Sequence, residues 1–294
     1  MSTPRYPLVL VPGLLGFVRV LGYPYWYGIV TALRNHGATV LPVLVSAVHS
    51  TEVRGEQLLQ RIAELREQTG AAKVHLLGHS QGALTARYAA AKKPEWVASV
   101  TSVAGPNHGS EMADYLDRRF AAGSWQERVV SALMGTMARG LGWFESGYQG
   151  PRLPIDVAAA HRSLTSEGVA AFNAQYPQGL PDTWGGQGAA EVDGVRYYSW
   201  AGVITPGVTD RGIRRFEAMS LMCRICARYG FQRETGQCDG LVGRNSSHLG
   251  TVLGDSFTFD HLSIVNQPLG LVGKGDDPVR LFVEHAQRLH DAGL

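Results

Sequence analysis

The sequence predicts an α/β class fold, a mostly parallel central sheet with helices on both faces, built as one domain over residues 1–294. Short apolar runs such as Leu8-Val-Leu-Val11 and Val97–Val103 alternate with amphipathic stretches of helical period, as β-α-β units require. One run, Val74-His-Leu-Leu77, enters Gly78-His79-Ser80-Gln81-Gly82 and continues without a gap into an alanine-rich helical stretch that Pro94 stops. No Pro/Gly/Ser linker or charge run divides the chain, so one large domain accounts for it better than two small ones.

The elements follow in order. Tyr6–Val11 reads as a buried strand, and Pro12-Gly13-Leu14-Leu15-Gly16 as the loop at its C-terminal end. Tyr25–His36 predicts a helix that Gly37 ends, and Thr39–Val45 the next strand. Leu58, Leu59, Ile62 and Leu65 give 52–68 one apolar helical face, with Gly70 as the stop. The strand and helix around Ser80 come next, then the strand Val97–Val103. From 114 to 164 the alternation breaks: Val129, Val130, Leu133, Met134, Met137, Leu141 and Phe144 line one side of a helix over Trp125–Phe144, an amphipathic insertion within the domain. Its simplest reading is a core-facing helix; beside a reactive site it is instead a lid. The sheet resumes at Glu191–Trp200, a hairpin turned by Asp193-Gly194.

Bulk properties narrow the classes. Hydrophobic residues make up 45% and charged residues 18%, which suits a globular enzyme with a sizeable core. The net charge of +2 is spread rather than clustered, which argues against nucleic acid as a partner and favours a small molecule or lipid. No apolar run approaches the ~20 residues of a transmembrane helix. Met1–Tyr6 leads almost directly into the first strand and shows no signal-peptide pattern. Cys223, Cys226 and Cys238 are odd in number and lack a fourth ligand at a zinc spacing, so a local disulfide or buried thiols are expected rather than a metal.

Two glycines around a serine occur in many loops; strand before and helix after make this pentapeptide a nucleophile elbow. Ser80 then sits at a helix N-terminus, where free N–H groups favour developing negative charge. The backbone N–H groups of Gln81 and Leu14 are the candidate oxyanion donors. In the chain order serine, acid, histidine, the base must come late. His285 and His290 belong to the terminal helix and His248 follows any acid too closely, which leaves His261, in a loop between Gly254 and Pro268. Asp239 suits best as the acid, with Asp210, Asp255 and Asp260 as rivals. His108, just beyond the strand ending at Val103, is expected to be a structural histidine.

Taken together, the elbow, Glu52-Val-Arg-Gly-Glu-Gln-Leu-Leu59, Phe172-Asn-Ala-Gln-Tyr-Pro-Gln-Gly179, Asp239-Gly-Leu-Val-Gly243, Ser246-Ser-His-Leu-Gly250 and Val265-Asn-Gln267 resemble the bacterial triacylglycerol lipases of the Pseudomonas, Burkholderia and Proteus type, over nearly the whole chain. The resemblance implies the α/β-hydrolase fold, Ser80 as nucleophile, His261 as base, Asp239 as acid, Leu14 and Gln81 as oxyanion donors, and a lid around Trp125–Phe144. It implies a lipid or ester substrate met at a lipid–water interface, and secretion, with a cytoplasmic location as the alternative. Three positions depart from the family pattern. Pro12 stands where a histidine precedes the oxyanion-loop glycine. Gly185 and Asn245 stand where secreted members carry a disulfide. Of the calcium ligands, Asp210 and Gln267 match but Ser263 replaces the second aspartate, so calcium is expected to bind weakly or not at all.

The expected activity is carboxylic ester hydrolysis on long-chain acylglycerols without a required cofactor. A soluble short-acyl esterase or polyester hydrolase with the same triad is the second reading, and a hydrolase scaffold kept for binding the third.

Overall fold

The structure, a computed structural model, describes residues 3–119, 125–145, 153–210, 212–273 and 275–294. Its strands are Leu8–Val11 (β1), Arg19–Val20 (β2), Tyr23–Pro24 (β3), Val40–Pro42 (β4), Val74–His79 (β5), Val97–Val103 (β6), Glu191–Val192 (β7), Val195–Gly202 (β8) and Thr251–Phe257 (β9). Its helices are Ile29–Asn35 (α1), Thr51–Thr69 (α2), Gln81–Lys92 (α3), Glu111–Arg119 (α4), Trp125–Phe144 (α5), Val157–Arg162 (α6), Ser166–Gln175 (α7), Ala218–Tyr229 (α8) and Pro278–Asp291 (α9).

Strands β4, β1, β5, β6 and β8 lie side by side in that order and all run parallel; β9 adds a further parallel strand to β8, where β7 also pairs antiparallel. Strands β1, β5 and β6 are buried throughout, which is why they read as unbroken apolar runs rather than alternating ones. One core layer joins Leu58, Ile62 and Leu65 of α2 and Ala86 and Ala89 of α3 to Val9, Val11, Val74 and Leu76; the opposite layer joins Leu33, Phe282 and Leu289 to Leu8, Leu10 and Trp200. Burying each large apolar side chain contributes roughly 1.5–3 kcal/mol, so the two layers fix which face each strand residue takes.

Several boundaries differ from the sequence expectation. The first helix starts at Ile29 rather than Tyr25, because Gly28 adopts a left-handed conformation at φ 74. The strand at 39–45 shortens to Val40–Pro42, and β9 occupies residues 251–257, so only the chain after Phe257 is the loop expected between Gly254 and Pro268. The hairpin turn is as expected, with Asp193 and Gly194 both at positive φ. Helix α4 begins at Glu111, three residues before the break in alternation placed at Asp114. Helix α5 spans Trp125–Phe144, while the side chains of Val129, Val130 and Leu133 and parts of 114–164 lie outside the described residues. Among the described residues no helix is long and apolar enough to cross a membrane.

The core also holds histidines that burial keeps neutral. His75 on β5 is fully buried and its pKa falls to about 3; His79 and His285 lie well below the ordinary value for the same reason. A histidine whose folded pKa is depressed takes up its proton on unfolding. Its contribution is therefore complete above the unfolded value near 6.5 and is lost as pH falls toward the folded value. We expect the urea midpoint to drop between pH 6.5 and 4.5, and His75→Gln to flatten that slope by up to ~1.4 kcal/mol per pH unit. An unaltered slope in the variant would mean that His75 takes up its proton without unfolding.

Candidate active site

The site forms where β1, β5 and the loop after β9 end at one edge of the sheet. Ser80 lies between β5 and α3 with φ 55 and ψ −128, a conformation costing of order 1–3 kcal/mol for a non-glycine residue. Neither Gly78 nor Gly82 carries that strain; they are needed because two chain segments meet there. A Cβ on Gly82 would lie 2.3 Å from the Val11 carbonyl oxygen, and one on Gly78 would lie 2.2 Å from that of Gly82. Helix α3 is thereby pressed against the end of β1, and a Cβ on Gly13 would meet Ser80 Cβ at 2.8 Å. The oxyanion loop and the elbow serine are in direct contact.

Asp239 and His261 are brought together. His261 Nδ1 donates to Asp239 Oδ2 at 2.7 Å, and the His261 amide donates to the Asp239 carbonyl at 2.9 Å. Asp239 Oδ1 accepts from the amides of Leu241 and Val242 at 2.9 and 2.8 Å, so both carboxylate oxygens are held. Both side chains are buried. The rival acids pair with arginines instead: Asp210 with Arg224, Asp255 with Arg244, and Asp260 with Arg214. The other histidines are engaged elsewhere as well. His248 bonds Gly186 and Asp255, His285 bonds Thr101, His290 bonds the Thr3 carbonyl, and His108 packs on Trp184 with its pKa lowered to about 4 by burial and nearby cations.

The Leu14 and Gln81 amides make none of the turn, loop or cap hydrogen bonds among the described residues. Leu15 beside Leu14 has a positive φ of 54, and its amide donates to the Ala47 carbonyl at 2.8 Å. Leu14 and Leu15 pack with Val48, Ala160 and Ala138 of α5. Helix α5 thus joins the loop after β1 in one apolar cluster, with Met137, Trp143 and Phe144 exposed.

Three further residues bind these parts together, a role that motif reading did not assign to them. Arg54 of α2 is fully buried. Its guanidinium donates to the carbonyls of Ser46 and Pro12, each at 2.5 Å, and to Thr85 Oγ1 at 3.2 Å. Burial lowers its pKa to about 10, which leaves it charged at neutral pH. The second and third are His79 and Tyr25. His79 Nε2 lies 2.9 Å from the His261 carbonyl, which can only accept, so Nε2 carries the proton and Nδ1 accepts from the Tyr25 hydroxyl at 2.7 Å. Tyr25 in turn accepts from the Gly13 amide at 3.2 Å, and burial raises its pKa to about 12. One buried column therefore runs from oxyanion loop through elbow strand to the His261 loop. His79 was visible as a member of the pentapeptide; Tyr25, in a turn with no motif, gave no such signal.

Among the described residues no group of three or more His, Cys, Asp or Glu gathers as metal ligands. The three cysteines are free thiols, Cys223 and Cys238 buried, and burial raises the pKa of each. Gly185 and Asn245, at the disulfide positions of the resemblance, are neighbours: a Cβ on Gly185 would lie 3.1 Å from Asn245 Cγ.

Residues 6–139 match the family model described as alpha/beta hydrolase fold. Two solved structures share the fold: a Staphylococcus hyicus lipase with TM-score 0.63 at 18% identity, covering 99% of this chain and 98% of that one, and a mature Bacillus licheniformis lipase with TM-score 0.60 at 19% identity, covering 91% and 89%. Parallel sheet, elbow and match together give the protein the α/β-hydrolase fold. A triacylglycerol lipase of Pseudomonas fragi is 48% identical over 99% of this chain and 98% of its own; that of Vibrio cholerae is 42% identical over 99% and 89%, and that of Burkholderia plantarii 35% over 100% and 88%. The chain belongs to the bacterial triacylglycerol lipase family, and these relatives in sequence make it an ester-hydrolysing enzyme.

Tyr25→Phe removes the hydroxyl that joins Gly13 to His79 and leaves two buried polar groups without partners. Each such group costs about 1–3 kcal/mol, so urea denaturation should show a loss of that order, with kcat reduced and KM little changed. A variant with unchanged stability and kcat would remove the column from the account.

Proposed function

We propose that the protein hydrolyses carboxylic esters, above all long-chain acylglycerols, through an acyl-enzyme on Ser80. The observation that supports this most is the buried 2.7 Å hydrogen bond between Asp239 and His261, in a cluster where each rival acid is paired with an arginine. With Nδ1 committed to Asp239, His261 keeps Nε2 as its basic nitrogen. It takes the Ser80 proton as Oγ attacks the ester carbonyl, and the negative charge gathers on the former carbonyl oxygen between the Leu14 and Gln81 amides. Collapse expels the alkoxide, which receives that proton from Nε2 and leaves as the alcohol. Water then attacks the Ser80 ester while its proton passes to Nε2; the carboxylic acid departs and Ser80 regains its proton. These steps use no cofactor.

The preference for lipid rests on α5. The apolar cluster that its Ala138 shares with Leu14 and Leu15, and its exposed Met137, Trp143 and Phe144, suit a lid that closes over the site in water and meets lipid when displaced. Secretion is part of this reading, by resemblance to secreted lipases.

Ser80→Ala should abolish turnover with the melting temperature unchanged, and Asp239→Asn should lower kcat by about 10²–10⁴-fold. Wild-type turnover by the serine variant would end the proposal. Rates on emulsified long-chain esters should exceed those on dissolved short-chain esters; the reverse order would make the protein a short-acyl esterase.

A further inference from the structure

The calcium ligands that the resemblance implies are all engaged within the protein. Asp210 Oδ1 accepts from the Gly207 amide at 2.6 Å and Oδ2 from Arg224 at 3.1 Å. The Gln267 side chain accepts from the Tyr23 hydroxyl at 2.5 Å and donates to the carbonyls of Pro24 and Tyr25 at 3.0 and 2.5 Å. Ser263 turns its hydroxyl to the Asp260 amide at 2.9 Å. The donor set does not fit a hard dication, which needs several free carboxylate or carbonyl oxygens.

A cation nonetheless stands among these loops, and it belongs to the chain. Arg214 is 2% exposed, on the short turn of 3-10 helix Gly212–Arg215. Its Nη2 donates to Asp260 Oδ2, its Nη1 to the carbonyls of Leu271 and Gln267, and its Nε to the Thr209 carbonyl at 3.3 Å. Three loops thus meet on one guanidinium: the one ending at Asp210, the one carrying His261, and the one after Gln267. Asp260 passes the restraint on, since its other oxygen accepts from the amides of Leu262 and Ser263 at 3.2 and 2.8 Å. His261 lies between Asp260 and these amides, so the loop that presents the base is braced on both sides.

We infer that Arg214 is a built-in cation that positions the His261 loop, and that it makes the enzyme independent of divalent metal. This rests on the assignment of His261 as the base. A planar guanidinium with five fixed donors can satisfy one carboxylate and several carbonyls at once, as a bound dication would, without requiring metal in the medium. A dication entering beside it would meet a positive charge that has already claimed the Asp260 carboxylate.

The test combines chelation with active-site titration. The wild type is dialysed against EGTA, and its Ser80 is titrated with a p-nitrophenyl alkylphosphonate, so that kcat is counted per reactive serine. The melting temperature and kcat of the wild type should not change on chelation, because only a site that was occupied can lose stabilisation. In Arg214→Met and in the isosteric Asp260→Asn, kcat per titrated serine should fall at least about tenfold with KM within about twofold, and Arg214→Lys, which keeps the charge but not the fork, should recover part of it. A purely structural role would lower the melting temperature and the titratable fraction while leaving kcat per titrated serine at the wild-type value; that result overturns the inference. Loss of wild-type activity in EGTA, restored by calcium and not by magnesium, overturns it as well, and this arm stands even if a variant fails to fold. Failure of the phosphonate to label wild-type Ser80 would instead overturn the assignment of the triad.

Discussion

The site depends on one buried imidazole. His79 is held neutral by burial and bonded on both sides, to Tyr25 through Nδ1 and to the His261 carbonyl through Nε2. Its side chain is buried in the fold, while the next residue, Ser80, is partly exposed and held at a positive φ. The same strand end therefore anchors the serine, the loop of the base and, through Tyr25, the Gly13 amide of the oxyanion loop. A polar column in this position raises the cost of any displacement, because a broken hydrogen bond would leave its partner without water to replace it. Geometry at the reacting atoms is thus maintained by groups that never touch substrate.

Charge is arranged on the same plan. Of the four candidate aspartates, Asp239 is matched with a histidine alone; Asp260 and Asp210 are matched with Arg214 and Arg224, and Asp255 with Arg244 beside His248. Arg54 has carbonyls rather than a carboxylate around it, and binds α2 to the backbone that carries Leu14. Two buried guanidiniums, Arg54 bonded to the loop after β1 and Arg214 bonded to the His261 loop, brace two sides of a site whose third side, the elbow, is fixed by close backbone contact. Removing either partner of such a buried pair is far more costly than the pair is favourable, which makes these positions specific rather than merely stabilising.

Residues whose meaning is local were legible in the sequence. The elbow reads from five adjacent residues because the turn itself demands them; β6 reads from an unbroken buried run, and α2 from apolar residues at helical spacing on its one buried face. Chain order and loop position narrowed the base to His261 and left Asp239 as the best of four acids, with Asp210, Asp255 and Asp260 as rivals; the pair that hydrogen-bonds lies 22 positions apart. What escaped was tertiary. Arg54 stood inside a quoted motif, yet its partners Pro12 and Ser46 come from other elements. Strand β9 was missed because its residues are only half-buried and carry Gly254 and Asp255, which read as a loop. Arg214 offered no pattern at all, since a cation shared by three loops has no period and no fixed spacing.

The most direct test of the account is a crystal structure of the protein with a long-chain alkylphosphonate bound covalently. The account predicts phosphorus on Ser80 Oγ and the phosphonyl oxygen about 2.7–3.1 Å from both the Leu14 and Gln81 amides. It also predicts His261 Nε2 directed at the ester oxygen, the Tyr25–His79–His261 hydrogen bonds intact, and the alkyl chain along the surface that α5 covers. A phosphonyl oxygen bound away from those two amides, or a His261 loop rearranged so that His79 no longer reaches its carbonyl, would contradict it.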